Sequence, residues 1–261
     1  MPATTKKYSR LACVALAIMA ASILSGCGDD EAASREPLTL RPAPTEPGTP
    51  IDLDRARDSS GAVAFDRWPR ACELLTDDEI KAVLPQTTKV ERESENEEVR
   101  IKEGVVASGR YASVREATAK DGKCSFKLDL PATGLRLSDV NPPSFDVSID
   151  LAGTPAFVKQ NFPYADKPVA VAGGRCFRGD SASCVKGPVA FRIFSQFAHQ
   201  EKDFADPDLE WRDRYPVNGE IVTISSPGGD SPAADEAFAR HQQLRFDHIY
   251  VELAKIILRK I

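Results

Sequence analysis

Cys124, Phe126, Leu128 and Leu130 alternate with Ser125, Lys127 and Asp129, and the same two-residue period returns twice further along the chain. Phe145, Val147, Ile149 and Leu151 alternate with Asp146, Ser148 and Asp150, while Val189, Phe191, Ile193 and Phe197 share one face opposite Arg192 and Gln196. A period of two with one apolar side marks an antiparallel strand that lays one face on a core and shows the other to water. Three such runs predict a sheet whose apolar side must be covered. Residues 168–172 and 220–225 are shorter strand candidates.

Two segments have the pattern of covering helices. Thr76 and Glu79 have capping-box spacing, the acidic first turn Asp77-Asp78-Glu79 suits the helix dipole, and Pro85 marks a stop. Ile80, Val83 and Leu84 give this short helix its apolar side. Near the C-terminus Ser231 is placed as N-cap and Pro232 as N1 of a helix running to about Arg259. At 100° per residue, Phe238, Phe246, Ile249, Tyr250, Leu253, Ile256 and Ile257 fall on one arc, and His241, Arg245, His248, Glu252 and Arg259 on another. The expected fold is α+β: an antiparallel sheet packed by a short N-terminal helix and a long C-terminal amphipathic helix, in one domain over residues 66–261. Residues 91–123 are charged and poor in apolar side chains, with ragged strands expected near 99–106 and 111–114. The run Glu91, Glu93, Glu95, Glu97 and Glu98 reads as a solvated face; binding of a cation or a basic partner is the other reading.

The N-terminus carries an address. Lys6, Lys7 and Arg10 precede an uncharged apolar run, residues 11–24, too short for a stable transmembrane span. Leu24-Ser25-Gly26-Cys27 then resembles the lipobox of bacterial lipoproteins, which implies a signal peptide over residues 1–26 and lipidation of Cys27. Acyl chains there anchor the protein, each buried methylene adding about 0.8 kcal/mol. The three positive charges leave with the signal segment, taking the formal charge from -5 to -8, so the domain is expected to stand off anionic headgroups. Pro37, Pro42, Pro44, Pro47 and Pro50 crowd the segment that follows. Residues 27–65 are expected to form a lipidated, disordered, partly polyproline-like tether.

Cysteine usage fits that address. With Cys13 in the signal segment and Cys27 lipidated, Cys72, Cys124, Cys176 and Cys184 remain, an even number in an exported chain, and two disulfides are expected. Three connectivities exist. Cys72–Cys124 with Cys176–Cys184 is the most economical, the second pair stapling a Gly- and Ser-rich hairpin tip. No C-x-x-C spacing occurs and the histidines lie elsewhere, so no metal site is assigned.

Several kinds of chemistry lack support. The negative charge and 7% aromatic content argue against nucleic-acid binding. His241 and His248 lie two turns apart, too far to share a metal as an i, i+4 pair does, and His199-Gln200-Glu201 lacks a second zincin histidine. Ser183-Cys184-Val185-Lys186 matches a bare S-x-x-K without the accompanying motifs. No G-x-S-x-G, P-loop or Rossmann fingerprint appears. Asp203, Asp206, Asp208, Glu210 and Asp213 around Trp211 and Tyr215 read as a sugar-binding loop or as a solvated loop with two anchoring rings.

The lipobox, the Pro-rich segment, Cys72-Glu73-Leu74-Leu75-Thr76-Asp77-Asp78-Glu79, Cys124 opening a strand and the C-terminal amphipathic helix occur together. In this the chain resembles the uncharacterised exported lipoproteins of actinobacteria, including the mycobacterial Lpr-type group with a domain of unknown function. Phe126 stands where that family often has Trp, the charged stretch between Cys72 and Cys124 is long, and the Cys176–Cys184 pair is an addition. The resemblance implies a compact α+β domain at the cell envelope and supplies no catalytic residues.

The expected function is a non-enzymatic envelope lipoprotein, on the outer face of the cytoplasmic membrane, whose domain binds a ligand or senses one. No cofactor is called for. Trp211, Tyr215, Phe191 and Phe197 are the candidate ligand contacts; the competing reading is core for Phe191 and Phe197 and the anchoring of a solvated loop for Trp211 and Tyr215. The alternative is an accessory module that docks on an envelope protein without a small ligand. A pocket of several hundred Å³ favours the first reading and an exposed apolar patch the second; a cleft with two strongly perturbed carboxylates would point to an enzyme.

Overall fold

The computed structural model describes residues 38–105, 111–162, 167–196, 214–217, 220–223 and 245–261. Two long strands, β1 (Lys89–Val105) and β2 (Tyr111–Asp129), pair from Lys89 opposite Asp129 to Val105 opposite Tyr111. They begin a seven-stranded sheet of order β1-β2-β3-β7-β6-β5-β4. The other strands are β3 (Ser144–Ala152), β4 (Val169–Val171), β5 (Gly174–Phe177), β6 (Ala182–Lys186) and β7 (Val189–Gln196). Each neighbouring pair is antiparallel. A two-stranded pair, β8 (Arg214–Val217) with β9 (Glu220–Thr223), forms a second sheet.

The alternation dictates the sheet's two faces. Cys124, Phe126 and Leu128 on β2, Phe145, Val147 and Ile149 on β3, and Phe191 and Ile193 on β7 are all fully buried. Phe126 pairs with Phe145 in register, and their rings stack at 4.8 Å. Burying each such side chain contributes about 1.5–3 kcal/mol. On the opposite face the register lines up Glu95, Lys123, Ser148, Arg192, Ser183 and Phe177 across six strands.

Helix α1 (Asp77–Val83) begins on the expected capping box: the Glu79 N–H donates to Thr76 Oγ1 at 3.3 Å, and Glu79 Oε2 accepts from the Thr76 N–H at 2.8 Å. Helix α2 (Pro155–Asn161) is capped by Thr154 and carries Pro at its start, a signal the sequence reading passed over. The C-terminal helix expected from Ser231 is described from Arg245. It opens as a π-helical turn, Arg245–Tyr250, before α3 (Val251–Lys260). Phe246, Ile249, Tyr250, Leu253 and Ile257 are fully buried. A Cβ on Gly174 would lie 2.9 Å from the Val185 carbonyl oxygen and 2.8 Å from Leu258 Cδ2, so glycine avoids a backbone clash where β5 meets β6 and α3.

Three expectations are corrected. Residues 38–65 are not a free tether. Leu38, Ala43, Ala62 and Val63 are buried, the Arg41 N–H donates to the Val83 carbonyl at 2.8 Å, and the Ile51 N–H donates to the Lys260 carbonyl at 3.0 Å. Arg259 donates to the Pro44 carbonyl, and the Ala43 N–H to Glu252 Oε2 at 2.6 Å. Proline brings no N–H that must be satisfied, so a Pro-rich strap can lie on a helix with few donors to place. The domain thus extends N-terminally of residue 66. The charged stretch is a continuous ribbon, because Lys127 pairs with Glu93 at 2.5 Å and Lys123 with Glu95 at 3.0 Å across the strands. Finally, Cys124 lies within β2 and does not open it.

Both disulfides form in the most economical pairing. Cys72, in a 3₁₀ turn, joins Cys124 with Cα atoms 5.0 Å apart, and Cys176 joins Cys184, its direct partner in the β5–β6 register, at 4.1 Å.

Candidate functional site

A bulge prepares the site. Between Glu95 and Glu97 the β1–β2 register shifts, β1 contributing Asn96 while β2 contributes Lys120, Asp121 and Gly122. Asp121 takes a left-handed φ of 55°. Its N–H donates to Asn96 Oδ1 at 3.2 Å, and its carboxylate accepts from Ser94 Oγ at 2.8 Å. Such a bulge bends a strand pair and re-aims its side chains. Before it, the odd-numbered face of β1 carries exposed Glu91, Glu93 and Glu95; beyond it the same face carries buried Val99 and Ile101. Beyond the bulge Val99 and Ile101 have found cover, with Ala117 and Ala119 of β2.

Beside this bend is a cleft of about 540 Å³. Glu97, Glu98, Val99 and Arg100 of β1 form one wall, and Phe177, Arg178, Gly179, Ser181 and Ser183 of the β5–β6 hairpin another. Asp150, Leu151 and Arg192 come from β3 and β7, and Asn161 and Phe162 from the end of α2. The Phe162 and Phe177 rings meet at 5.7 Å, tilted by 49°. Asn161 is held by its Nδ2 donating to the Phe157 carbonyl at 3.0 Å.

The charged centre is a bonded pair. Arg192 Nη2 donates to Asp150 Oδ1 at 2.7 Å, with the Asp150 side chain 18% exposed and that of Arg192 45%. Burial pushes the Asp150 carboxyl above its ordinary value, against the opposing pull of Arg192. The hydrogen bond and charge of Asp150 in turn raise Arg192. Burial also raises Glu97, reinforced by the charges of Asp150 and Glu95 and opposed by those of Arg192 and Lys123. Arg178 pairs with Asp247 at 3.1 Å and Arg100 with Glu116 at 3.4 Å. The arrangement offers a half-buried carboxylate, a fixed guanidinium and two rings within one concavity.

Few of the sequence candidates come to this place. Phe191 is corrected: it is fully buried on the apolar face, the opposite side of β7 from Arg192, and is core. Phe197, Trp211, His199, His241 and the Asp203–Asp213 acids lie outside the described residues. Tyr215 belongs to β8, outside the seven-stranded sheet. Ser183 reaches the cleft, but Lys186, three residues along the same strand, donates to the Leu258 carbonyl at 2.7 Å. The S-x-x-K residues therefore face opposite ways. Among the described residues no group of three His, Cys, Asp or Glu side chains is placed to hold a metal ion.

Asp150, Phe162, Phe177 and Arg192 were not singled out as site residues from the sequence, and Glu97 entered only within the glutamate run, whose other reading was binding of a cation or a basic partner. Asp121-Gly122 inside a strand pattern was the available signal for a bulge, and hence for a redirected neighbour. The chain matches no protein-family model, no curated protein and no solved structure.

Proposed function

We propose that this protein is a lipid-anchored component of a bacterial envelope, akin to the Lpr-type lipoproteins, whose domain binds a small ligand in the cleft without transforming it. The signal segment 1–26 exports the chain in this reading, and acyl chains on Cys27 hold it at the outer face of the cytoplasmic membrane. The sheet is packed on its apolar face by α1 and the C-terminal helix, leaving the charged face to carry the site. The observation that carries the reading is the cleft itself: about 540 Å³, within the range of small-molecule sites, with charged and polar side chains converging around Val99, Leu151, Phe162 and Phe177. Among the described residues the large apolar side chains left exposed are Val140 and Val169, so an apolar docking patch has less support there. The fixed Arg192–Asp150 pair suits recognition better than proton transfer, because Asp150 is committed to its partner.

The test is purification of the mature lipoprotein from native membranes, with mass spectrometry of its N-terminal peptide and of its organic extract. A Gly179→Trp variant serves as the blocked form, since a Cβ there has its nearest neighbour at 3.5 Å. Diacylated Cys27 and a small molecule carried by the wild type alone would support the proposal. An empty wild-type domain that crosslinks to an envelope protein would replace it with the docking reading.

A further inference from the structure

One carboxylate of the cleft lacks a bonded partner among the described residues. Each arginine that lines it already has a carboxylate: Arg192 has Asp150, Arg178 has Asp247 and Arg100 has Glu116. Of the glutamates, Glu98 accepts a hydrogen bond from Thr118 Oγ1 at 2.7 Å. The Glu97 carboxylate forms no hydrogen bond or ion pair with any of the described residues, yet the residue is half-buried in the concavity. The strand bend that sets it there is held by two side-chain bonds of its own, from Ser94 to Asp121 and from Asp121 to Asn96. Burying a carboxylate without a donor is costly. A structure that fixes one in a cavity gains most from a ligand that supplies a positive charge. Phe162 and Phe177, each only 4% exposed, form part of the apolar lining of the same space.

We infer that the cleft takes an organic cation, an apolar body carrying an amine or quaternary ammonium group, with its charge on Glu97 and its body against Phe162 and Phe177. The inference rests on the cleft being the binding site. An anionic ligand would find three guanidiniums already matched and would have to approach Glu97 and Glu98. A neutral ligand would leave Glu97 with only the unbonded attraction of Arg192 and Lys123.

Three probes with a common benzyl body separate these cases: benzyltrimethylammonium, benzylphosphonate and neopentylbenzene, the neutral carbon analogue of the first. They are titrated calorimetrically into the full mature lipoprotein in mild detergent at moderate salt. The ammonium probe is expected to bind at least about tenfold tighter than the other two, as a charge pair in a partly desolvated site requires. Glu97→Gln should remove that preference, and Phe177→Leu should weaken the ammonium probe. Should Glu97→Gln fail to fold, the ranking on the wild type still decides. Tighter binding of benzylphosphonate, lost in Gly179→Trp, would overturn the cation assignment and leave the cleft as a binding site. Equal binding of all three would overturn it in the same way. No binding of any probe, together with an empty native extract, would overturn both readings.

Discussion

The Tyr250 hydroxyl donates to the Asp180 carbonyl at 3.2 Å and accepts from the Ser195 N–H at 3.1 Å. A fully buried ring on the C-terminal helical segment is thereby joined to β7 and to the β5–β6 turn that walls the cleft. Tyr250→Phe keeps the ring and deletes this junction. Losing a buried hydroxyl bonded on both sides costs about 1–3 kcal/mol, to be read as a lower urea midpoint at unchanged slope. Hydrogen exchange should quicken in the β5–β6 turn before it does in β2.

Lys260 is almost wholly buried, with a side-chain exposure of 3%. Its Nζ donates to Glu79 Oε2 at 2.6 Å and to the Leu74 carbonyl at 2.9 Å. Glu79 also closes the capping box of α1, so one carboxylate joins the first helix to the last. A Cβ on Gly48 of the strap would lie 2.7 Å from Lys260 Cε, which shows how tightly the strap covers the pair. Glu79→Gln strands a buried ammonium and should cost about 3–5 kcal/mol. Glu79→Gln with Lys260→Met removes both charges and should be the milder change. Chemical denaturation of the singles and the double, closed as a cycle, measures the coupling.

The Pro-rich strap yields a local prediction. The Arg41 and Ile51 amides donate to the Val83 and Lys260 carbonyls, and should exchange on the order of a hundredfold more slowly than in an unstructured peptide. A free tether would leave both at the unprotected rate.

That strap also shows where reading the sequence fell short. Composition predicted disorder, because five prolines in a short stretch cannot build a core of their own. They need not, since Leu38 and Ala43 join the core of the domain, and α1 and α3 supply the acceptors that the strap's amides bond. What was legible was local: the Thr76–Glu79 box, and the period of two along β2, β3 and β7, each set by residues a few positions apart. The cleft was not legible, because Glu97, Asp150, Phe162, Phe177 and Arg192 belong to five different segments that only the strand order unites. Glu97 resembled its neighbours Glu93 and Glu95 until the bulge gave it another environment.

The two disulfides should differ in weight. Cys72–Cys124 spans 52 residues and Cys176–Cys184 spans 8, so on the chain-entropy model they contribute about 4 and about 2.5 kcal/mol. Cys176→Ser with Cys184→Ser should leave a folded protein, because the β5–β6 ladder remains. It should bind cleft ligands more weakly, since Phe177 and Ser183 adjoin the bridge. Denaturation and ligand titration of each double variant give the two numbers separately.

Glu97 carries the pH dependence that best identifies the site. Its carboxyl is raised in the folded state, chiefly by burial. An acid held above its unfolded value favours folding in its protonated form. That contribution is complete below the ordinary value of 4.5 and is lost as the pH rises through the folded value. At pH 7 the ionised Glu97 is therefore a strain on the empty protein. Glu97→Gln, which keeps the shape and removes the charge, should make the empty protein more stable at pH 7 than the wild type. The advantage should disappear below pH 4.5. Urea midpoints of both proteins at pH 4 and pH 7 provide the check, and equal gaps at the two values would refute the assignment of a strained carboxylate. Saturating the wild type with an organic cation should then narrow the gap at pH 7, because the ligand places a positive charge directly on Glu97.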